Sequence, residues 1–403
     1  MVMKRIAIIA GVLHSGGKRN LIMEYYRHID RTQIQFDFIC DSDSNGIPEE
    51  EILSLGGRVY KVAPYKQIGA HMRETYKILK DNKYEIMHAF DNTLNVFPMF
   101  LGCLAGVKVR ISESISKGDK NEKKTIVKLA LRPFSHWFAN YYMANSIDCG
   151  VWQFGKKTYD KGNITIFKTV INADANAFDK VLRDETRKKF GWEGKVIYGF
   201  IGRYVDQKNP LFLIDIFNAI AKKQPNSKLV MIGFGELETA MHEKIKEYGL
   251  QDRVENLGRS DDIKQFYNAF DAFLLPSLYE GMPVVGIEAQ CAGLPIFFSK
   301  NITEETTASE LAHYIGLSES PEIWADTIIN VVNENLGKRR SHAEDVKKNG
   351  FDSKTETEKL EKYYMKTIRQ TGMGGGVILN PNICDDSYVI FVPTESTERR
   401  LAA

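Results

Sequence analysis

Short apolar runs alternate along this chain with longer stretches in which apolar residues recur every three or four positions. In the first half the short runs read as buried strands at Arg5–Ala10, Gln35–Cys40, Val59–Val62, Ile86–Ala89, Val107–Ile111, Tyr141–Asn145 and Ile164–Val170. In the second half they fall at Val196–Gly202, Lys228–Ile232, Val254–Leu257, Ala272–Leu275 and Ile296–Ser299. Helical periodicity lies between them, at Leu21–Ile29 and Met72–Lys80, and later at Pro210–Lys223, Leu237–Tyr248, Ile263–Ala269, Val284–Ala292 and Pro321–Asn335. Two successive strand-then-helix series predict an α/β fold with mostly parallel sheets. At 403 residues the chain exceeds one ordinary core, so two domains are expected. The polar stretch Asp174 to Glu193, poor in strand formers, reads as their joint. The expected division is residues 1–175, then 190–350, with a helix at about 354–369 that returns over the joint. Residues 371–403 read as an appended tail that opens with Met373-Gly-Gly-Gly376 and holds one strand-like run, Tyr388–Val392.

Bulk properties narrow the function. A formal net charge of +2 gives no general attraction to nucleic acid. Five scattered cysteines without a C-x-x-C pair indicate neither a zinc ribbon nor a disulfide framework, and suit a reducing cytoplasm. Lys4-Arg5 and the apolar run after it are too short for a signal peptide and meet no small-residue cleavage pattern. No uninterrupted apolar run reaches the roughly 18 residues that a membrane span needs. Between Lys117 and Phe138, however, Lys117, Lys120, Lys123, Lys124, Lys128 and Arg132 interleave with Ile126, Val127, Leu129, Leu131, Phe134, Trp137 and Phe138. Such a helix suits an anionic bilayer surface. It equally suits packing on a sheet with solvated lysines outside.

The richest chemistry lies in Leu275-Pro-Ser-Leu-Tyr-Glu-Gly-Met-Pro-Val-Val-Gly-Ile-Glu-Ala-Gln-Cys-Ala-Gly-Leu-Pro295. Glu280 falls at a strand-to-helix turn, and Glu288 about 12 Å further along the helix at ~1.5 Å per residue, near the same face. Between them Gly281, Met282 and Val284, around Pro283, offer free N–H groups at a helix start, where anions are favoured. Two carboxylates flanking an anion cradle suit a sugar, a diphosphate and a ribose in line. The plainer alternative is one glutamate serving the helix dipole and one solvated. Gly202-Arg203 and Lys208-Asn209 follow a strand at its carboxyl end, where open α/β sheets bind ligands, and two cations there suit a diphosphate or are simply solvated. Gly233 and Gly235 end the next strand and let backbone come close. Arg259 after Asn256-Leu257-Gly258 is placed to stack on a base. In the first half, Gly16-Gly17 before a helix is a candidate anion site, but the G-x-G-x-x-G dinucleotide fingerprint is absent. Asp41 ends a strand as a ribose-binding acid would, and means little without those glycines. His88 ends another strand, either structural or facing a ligand.

With these elements in order, the chain resembles the retaining glycosyltransferases of family 4, and in particular the bacterial branch that builds capsular and extracellular polysaccharides. The likeness is carried by Glu280-Gly-Met-Pro…Glu288, Gly293-Leu-Pro295, Gly202-Arg203…Lys208-Asn209, Gly233-Phe-Gly235, the Val170-Ile-Asn172-Ala-Asp174 segment and the Gly16-Gly17 opening, and covers about residues 1–368. It implies the GT-B fold: two Rossmann-like domains facing across a cleft, with a C-terminal helix crossing back to the first. It assigns Arg203, Lys208 and Glu280 to catalysis. With the readings above, Gly16, Gly17, Gly202, Gly235, Arg259, Gly281, Met282, Pro283, Val284 and Glu288 are expected at the donor, and His88 and Glu113 on the sugar or acceptor side. Where related sequences carry a histidine beside the reacting sugar, this one has Ser112-Glu113-Ser114, which leaves sugar preference, alignment or activity open.

The implied reaction moves a hexose or derivative from a nucleotide-sugar, uridine first and guanosine second, to a saccharide acceptor expected to be lipid-linked. It proceeds with retention and with no metal or cofactor beyond the donor. The expected location is cytoplasmic, peripheral on the inner face of the plasma membrane if residues 117–138 bind lipid. A nucleotide-sugar epimerase of related fold and a non-catalytic nucleotide-sugar binder are the alternatives. An NAD-dependent oxidoreductase is disfavoured by the missing fingerprint.

Overall fold

The computed structural model describes residues 3–14, 16–116, 123–260 and 262–372, without the side chains of 123–125 and 371–372. The strand expected at Tyr388–Val392, the rest of the tail, and Lys117 and Lys120 lie outside the described residues. The chain forms two compact units, one ending at Val170 and resumed at Ser353, the other spanning Ile171–Asp352.

Unit 1 is built on a seven-stranded parallel sheet of order β3-β2-β1-β4-β5-β6-β7. Its strands are β1 Lys4–Gly11, β2 Ile34–Asp41, β3 Arg58–Val62, β4 Ile86–Ala89, β5 Val109–Ser114, β6 Tyr141–Ala144 and β7 Ile164–Ile166. Successive side chains of a strand point to opposite faces. Ile6, Ile8 and Ala10 accordingly enter one core while Ala7 and Ile9 enter another. Burial on both faces is why these strands read as unbroken apolar runs. The helix Ser353–Gly372 returns to unit 1, where Leu360, Tyr363 and Tyr364 are fully buried and Tyr364 packs edge-on against Phe36.

Two strand limits differ from expectation. Val107 closes the preceding helix, its N–H bonded to Gly102 O at 2.8 Å, and β5 instead runs on through Ser112, Glu113 and Ser114. Pairing with β4 and β6 carries these polar residues into the sheet, which their own strand propensity does not. Strand β7 stops at Ile166 rather than Val170.

Unit 2 holds a six-stranded parallel sheet of order β10-β9-β8-β11-β12-β13. Its strands are β8 Val196–Ile201, β9 Ser227–Ile232, β10 Val254–Asn256, β11 Ala272–Leu275, β12 Ile296–Ser299 and β13 Ala312–Ile315. The last, short and carrying His313 and Tyr314, was not visible in the sequence pattern. The stretch read as a polar joint contains a helix of this unit, Lys180–Phe190, capped by Asp179, whose side chain accepts from Val181 N and Leu182 N. Its charges are structural. Arg183 and Arg187 bind Asp271 at 2.5 and 3.1 Å, and Asp271 also accepts from Ile197 N at 2.8 Å, tying the helix to the amino ends of β8 and β11. Beside them Arg339 is half-buried, with its guanidinium donating to the carbonyls of Tyr267, Asn268, Phe270 and Ala292.

Asp271 is thus the carboxylate partner of two partly buried guanidinium groups with a third alongside. Removing one member of such a cluster leaves uncompensated buried charge. Asp271→Ala is expected to lower unfolding free energy by about 3–5 kcal/mol in urea titration. A loss within the ~1 kcal/mol range of surface ion pairs would contradict this account.

Candidate functional site

In unit 2, β9 and β11 lie on either side of β8, so the chain leaves the carboxyl ends of β8 and β11 in opposite directions. A crevice at such a switch point is where open α/β sheets take ligands. The loop after β8 runs from Gly202 through a turn at Asp206–Lys208 to the helix Pro210–Lys223, with Asn209 in the left-handed region at φ 54°. The loop after β11 leads to the helix Val284–Cys291. Leu278 N donates to Gln207 O at 2.8 Å, Gln207 Nε2 to Tyr279 O at 3.1 Å, and Asn209 Nδ2 to Pro276 O at 3.2 Å. Across this stapled pair of loops Lys208 Nζ meets Glu280 Oε1 at 2.5 Å, with the two side chains 14% and 8% exposed. The sequence suggested these residues separately; the fold makes them partners. Arg203 is exposed and only approaches Gln207 at 3.5 Å, too long for a good hydrogen bond, so its guanidinium stays available.

At the start of the helix Val284–Cys291, Pro283 holds the N-cap position and no side chain caps the turn. The amides of Gly281, Met282 and Val284 find no acceptor among the described residues. They are the orphan donors of a helix N-terminus. The side chain of Met282 is buried with Ile171 and Ile287, which anchors the loop and leaves its backbone as the available part. Glu288 lies further along the helix, half-buried, with Oε2 accepting from Tyr267 OH at 2.8 Å. Tyr267 is fully buried, and burial first, then the charge of Glu288, push its phenol far above the usual range, so it donates at all ordinary pH. Nothing in the sequence pattern signals this role, because Tyr267 reads as a core aromatic of the Ile263–Ala269 pattern.

At two of the glycines the space of a side chain is taken by the protein's own backbone. A methyl at Gly233, whose φ is +154°, would stand 1.9 Å from Gly202 O, and one at Gly235 would stand 2.3 Å from Tyr204 O. They let two loops of the protein pass close to each other. Arg259 follows Gly258 on the loop after β10 and is exposed.

In unit 1, Gly16 caps the helix Gly17–His28, with no atom within 4 Å of where a side chain would begin. His88 and Glu113 are corrected. Both are fully buried in the sheet, with Nε2 of the ring 2.8 Å from Glu113 Oε2 but off the line of a good hydrogen bond, and Nδ1 2.8 Å from Tyr364 OH. Paired inside the core with the returning helix, they are closed to a substrate in this structure. In the basic stretch several apolar side chains are exposed. Along the helix Lys123–Leu131 and the turn after it, Ile126 is 70% and Trp137 54% exposed, and Val127, Leu129 and Phe134 are exposed with them. That apolar face is not packed on the sheet.

Comparison with known proteins agrees with the geometry. A family model described as "Glycosyl transferases group 1" matches residues 182–352. A Bacillus subtilis (strain 168) protein named "Putative glycosyltransferase EpsF" is 30% identical over 358 residues, 87% of this chain and 93% of that protein. An Escherichia coli protein named "UDP-Gal:alpha-D-GlcNAc-diphosphoundecaprenol alpha-1,3-galactosyltransferase" is 28% identical over 235 residues, 56% of this chain and 60% of that protein. The crystal structure of Anabaena Alr3699/HepE in complex with UDP-glucose matches with a TM-score of 0.72 at 18% identity, covering 90% of this chain and 99% of that one, a likeness of fold. The chain therefore belongs to the group 1 glycosyl transferases, with two Rossmann-like domains of the GT-B type.

Proposed function

We propose that this protein transfers a hexose or hexose derivative from a uridine-nucleotide sugar to a saccharide carried on a lipid diphosphate, in the synthesis of a surface polysaccharide. One observation carries the reading: the Lys208–Glu280 pair stands at the switch crevice beside three unused amides of a helix start, with Arg203 open to the same loop. An ammonium has three protons, and one suffices for Glu280, so Lys208 keeps donors for phosphate oxygens. Glu288, held by Tyr267, takes the ribose diol at one end. Glu280 takes donor-sugar hydroxyls at the other. The E. coli relative, whose name specifies a UDP-galactose donor and a diphosphoundecaprenol-linked acceptor, supports the choice of substrates.

In the reaction the anomeric C–O bond to the β-phosphate breaks and its electron pair stays on the phosphate oxygen. An acceptor hydroxyl forms the new bond to the anomeric carbon from the same face, and its proton passes to the departing phosphate. The negative charge that develops is met by Arg203, Lys208 and the amides of Gly281, Met282 and Val284, donors already in place before the step. These supply the positive field that a divalent ion supplies elsewhere, and the reading calls for no cofactor beyond the donor.

A lipid-linked acceptor requires access to a membrane surface. Among the described residues no helix is long and apolar enough to span one. The exposed face of Ile126, Val127, Leu129, Phe134 and Trp137, flanked by Lys128 and Arg132, is suited to lie in the headgroup region of an anionic bilayer. The protein is expected to co-sediment with phosphatidylglycerol vesicles and not with phosphatidylcholine vesicles. Ile126→Asp with Trp137→Ser should abolish that binding while leaving UDP affinity intact; undiminished sedimentation would remove lipid from the proposal.

At the donor site, Arg203→Ala should lower kcat by about 10²–10³ through lost transition-state stabilisation. Glu288→Ala should chiefly raise the dissociation constant for UDP in calorimetry. Tyr267→Phe removes one hydrogen bond to a charged group, about 1.5 kcal/mol, and should weaken UDP roughly tenfold. Unchanged kinetics and UDP affinity in all three variants would defeat the assignment.

A further inference from the structure

A second opening lies at the other end of the unit 2 sheet. Asp271, Pro295 and Leu311 stand immediately before β11, β12 and β13, and all three line a cavity of ≈ 430 Å³ at the amino ends of these strands. The donor crevice is at the carboxyl ends, about 13 Å away along the four residues of β11 at ~3.3 Å each. Gly293, from the segment that carries the family likeness, follows the helix Val284–Cys291 and lines the cavity too. A methyl there would stand 1.9 Å from Arg340 O, so the glycine admits the loop 336–340 as a wall. Cavities of roughly 300–1,000 Å³ are the size of small-molecule sites.

The charge of this cavity is unbalanced. Its walls carry five cations, Lys180, Arg183, Lys338, Arg339 and Arg340, against three carboxylates, Asp184, Asp271 and Glu310. The inner cations are engaged by the fold. Arg339 gives its N–H groups to main-chain carbonyls and lies 4.5 Å over the Phe178 ring, and Arg183 is shared between carbonyls and Asp271. Desolvation first, then the charge of Arg183, hold the Arg339 pKa well below the usual guanidinium range, as surplus positive charge requires. The rim is not engaged in the same way. The Lys338 side chain has no partner among the described residues, and Arg340 meets only Glu310, at 3.2 Å between two exposed side chains. Such a surface pair is weak and easily exchanged. The amides of Gly337, Arg339 and Arg340, all lining residues, find no acceptor among the described residues.

Donors that lack acceptors call for a partner rich in lone pairs and negatively charged. Phosphate oxygens meet both demands, and a phosphate monoester carries about −1.5 to −2 charges at pH 7. That matches the surplus on the walls, which a single carboxylate would only halve. The remaining lining includes Phe178, Leu311 and Val332, an apolar surface for which a bare ion has no use. We infer that the cavity at the amino edge of the unit 2 sheet is a second binding site, which takes an organic phosphate monoester. Its phosphate meets Lys338, Arg340 and the amides of their loop, and its apolar ring rests on Phe178, Leu311 and Val332. The site stands on the opposite edge of the sheet from the donor crevice, and the inference does not depend on what that crevice binds.

The test titrates the full chain by calorimetry with phenyl phosphate, adenosine 5′-monophosphate and inorganic phosphate, in the presence of saturating UDP. At least one of the two esters should bind saturably, and tenfold or more tightly than inorganic phosphate. Lys338→Ala with Arg340→Ala, both at exposed positions, should weaken that ester tenfold or more and leave UDP affinity as in the wild type. No ester binding, displacement of the ester by UDP, or undiminished binding in the double variant would overturn the inference. So would equal affinity for inorganic phosphate, which marks an ion site only. Failure of the wild type to bind UDP would instead strike the donor-site reading, while the dependence of the ester on Lys338 and Arg340 still decides this one.

Discussion

A parallel sheet whose strand order reverses in the middle cannot close its own carboxyl edge, and both halves of this protein are organised around that gap. In unit 2 the loops leaving β8 and β11 part company, and they are held in register by backbone and amide contacts that converge on the Lys208–Glu280 ion pair. The pair sits in a half-desolvated place, where charges interact more strongly than at a solvated surface. It fixes the position of a cation and an anion while a helix start beside it keeps its amides unspent. Stapled loops, unused donors and a compensated carboxylate are in place there without rearrangement, as the proposed diphosphate site requires.

Buried charge is used in two ways at the two edges of that sheet. At the amino edge Asp271 takes two guanidinium groups and a backbone N–H, while Arg339 saturates its fork with carbonyls, so the groups there are satisfied within the fold. At the carboxyl edge the polar groups are only partly satisfied. Among the described residues Arg203 has no strong partner and the helix amides have none. In unit 1 the contrast does not hold, because both Glu113 oxygens and His88 Nε2, enclosed in the core beside Tyr364, lack a hydrogen bond among the described residues just as the Asp41 oxygens do.

The Glu113 position shows how burial reinterprets a motif. The resemblance placed this residue where a histidine stands beside a reacting sugar, yet strand β5 runs through it and the side chain is enclosed against His88. The link from the sheet to the returning helix is made by His88, whose Nδ1 lies 2.8 Å from Tyr364 OH. The expectation rested on a strand limit three residues too early, at Ile111 instead of Ser114.

The sequence by itself determined the class of fold and the two strand–helix series, and it pointed to the residues that line the crevice above β8 and β11. Those signals are local: an apolar run of fixed length, a glycine–proline punctuation, and a carboxylate at each end of one helix start. It also showed that residues 117–138 are both basic and apolar, though not which side the apolar face would turn. Tertiary structure alone decided what touches what. It made Lys208 the partner of Glu280 across some seventy positions of chain, set Tyr267 under Glu288, turned the polar stretch at 180–190 into a clamped helix, and gathered Asp41, Tyr65 and Asp91 at one strand edge. Such pairings depend on strand order and burial, which no local pattern of residues encodes, because the sheet brings together segments whose separation in sequence carries no trace of their separation in space.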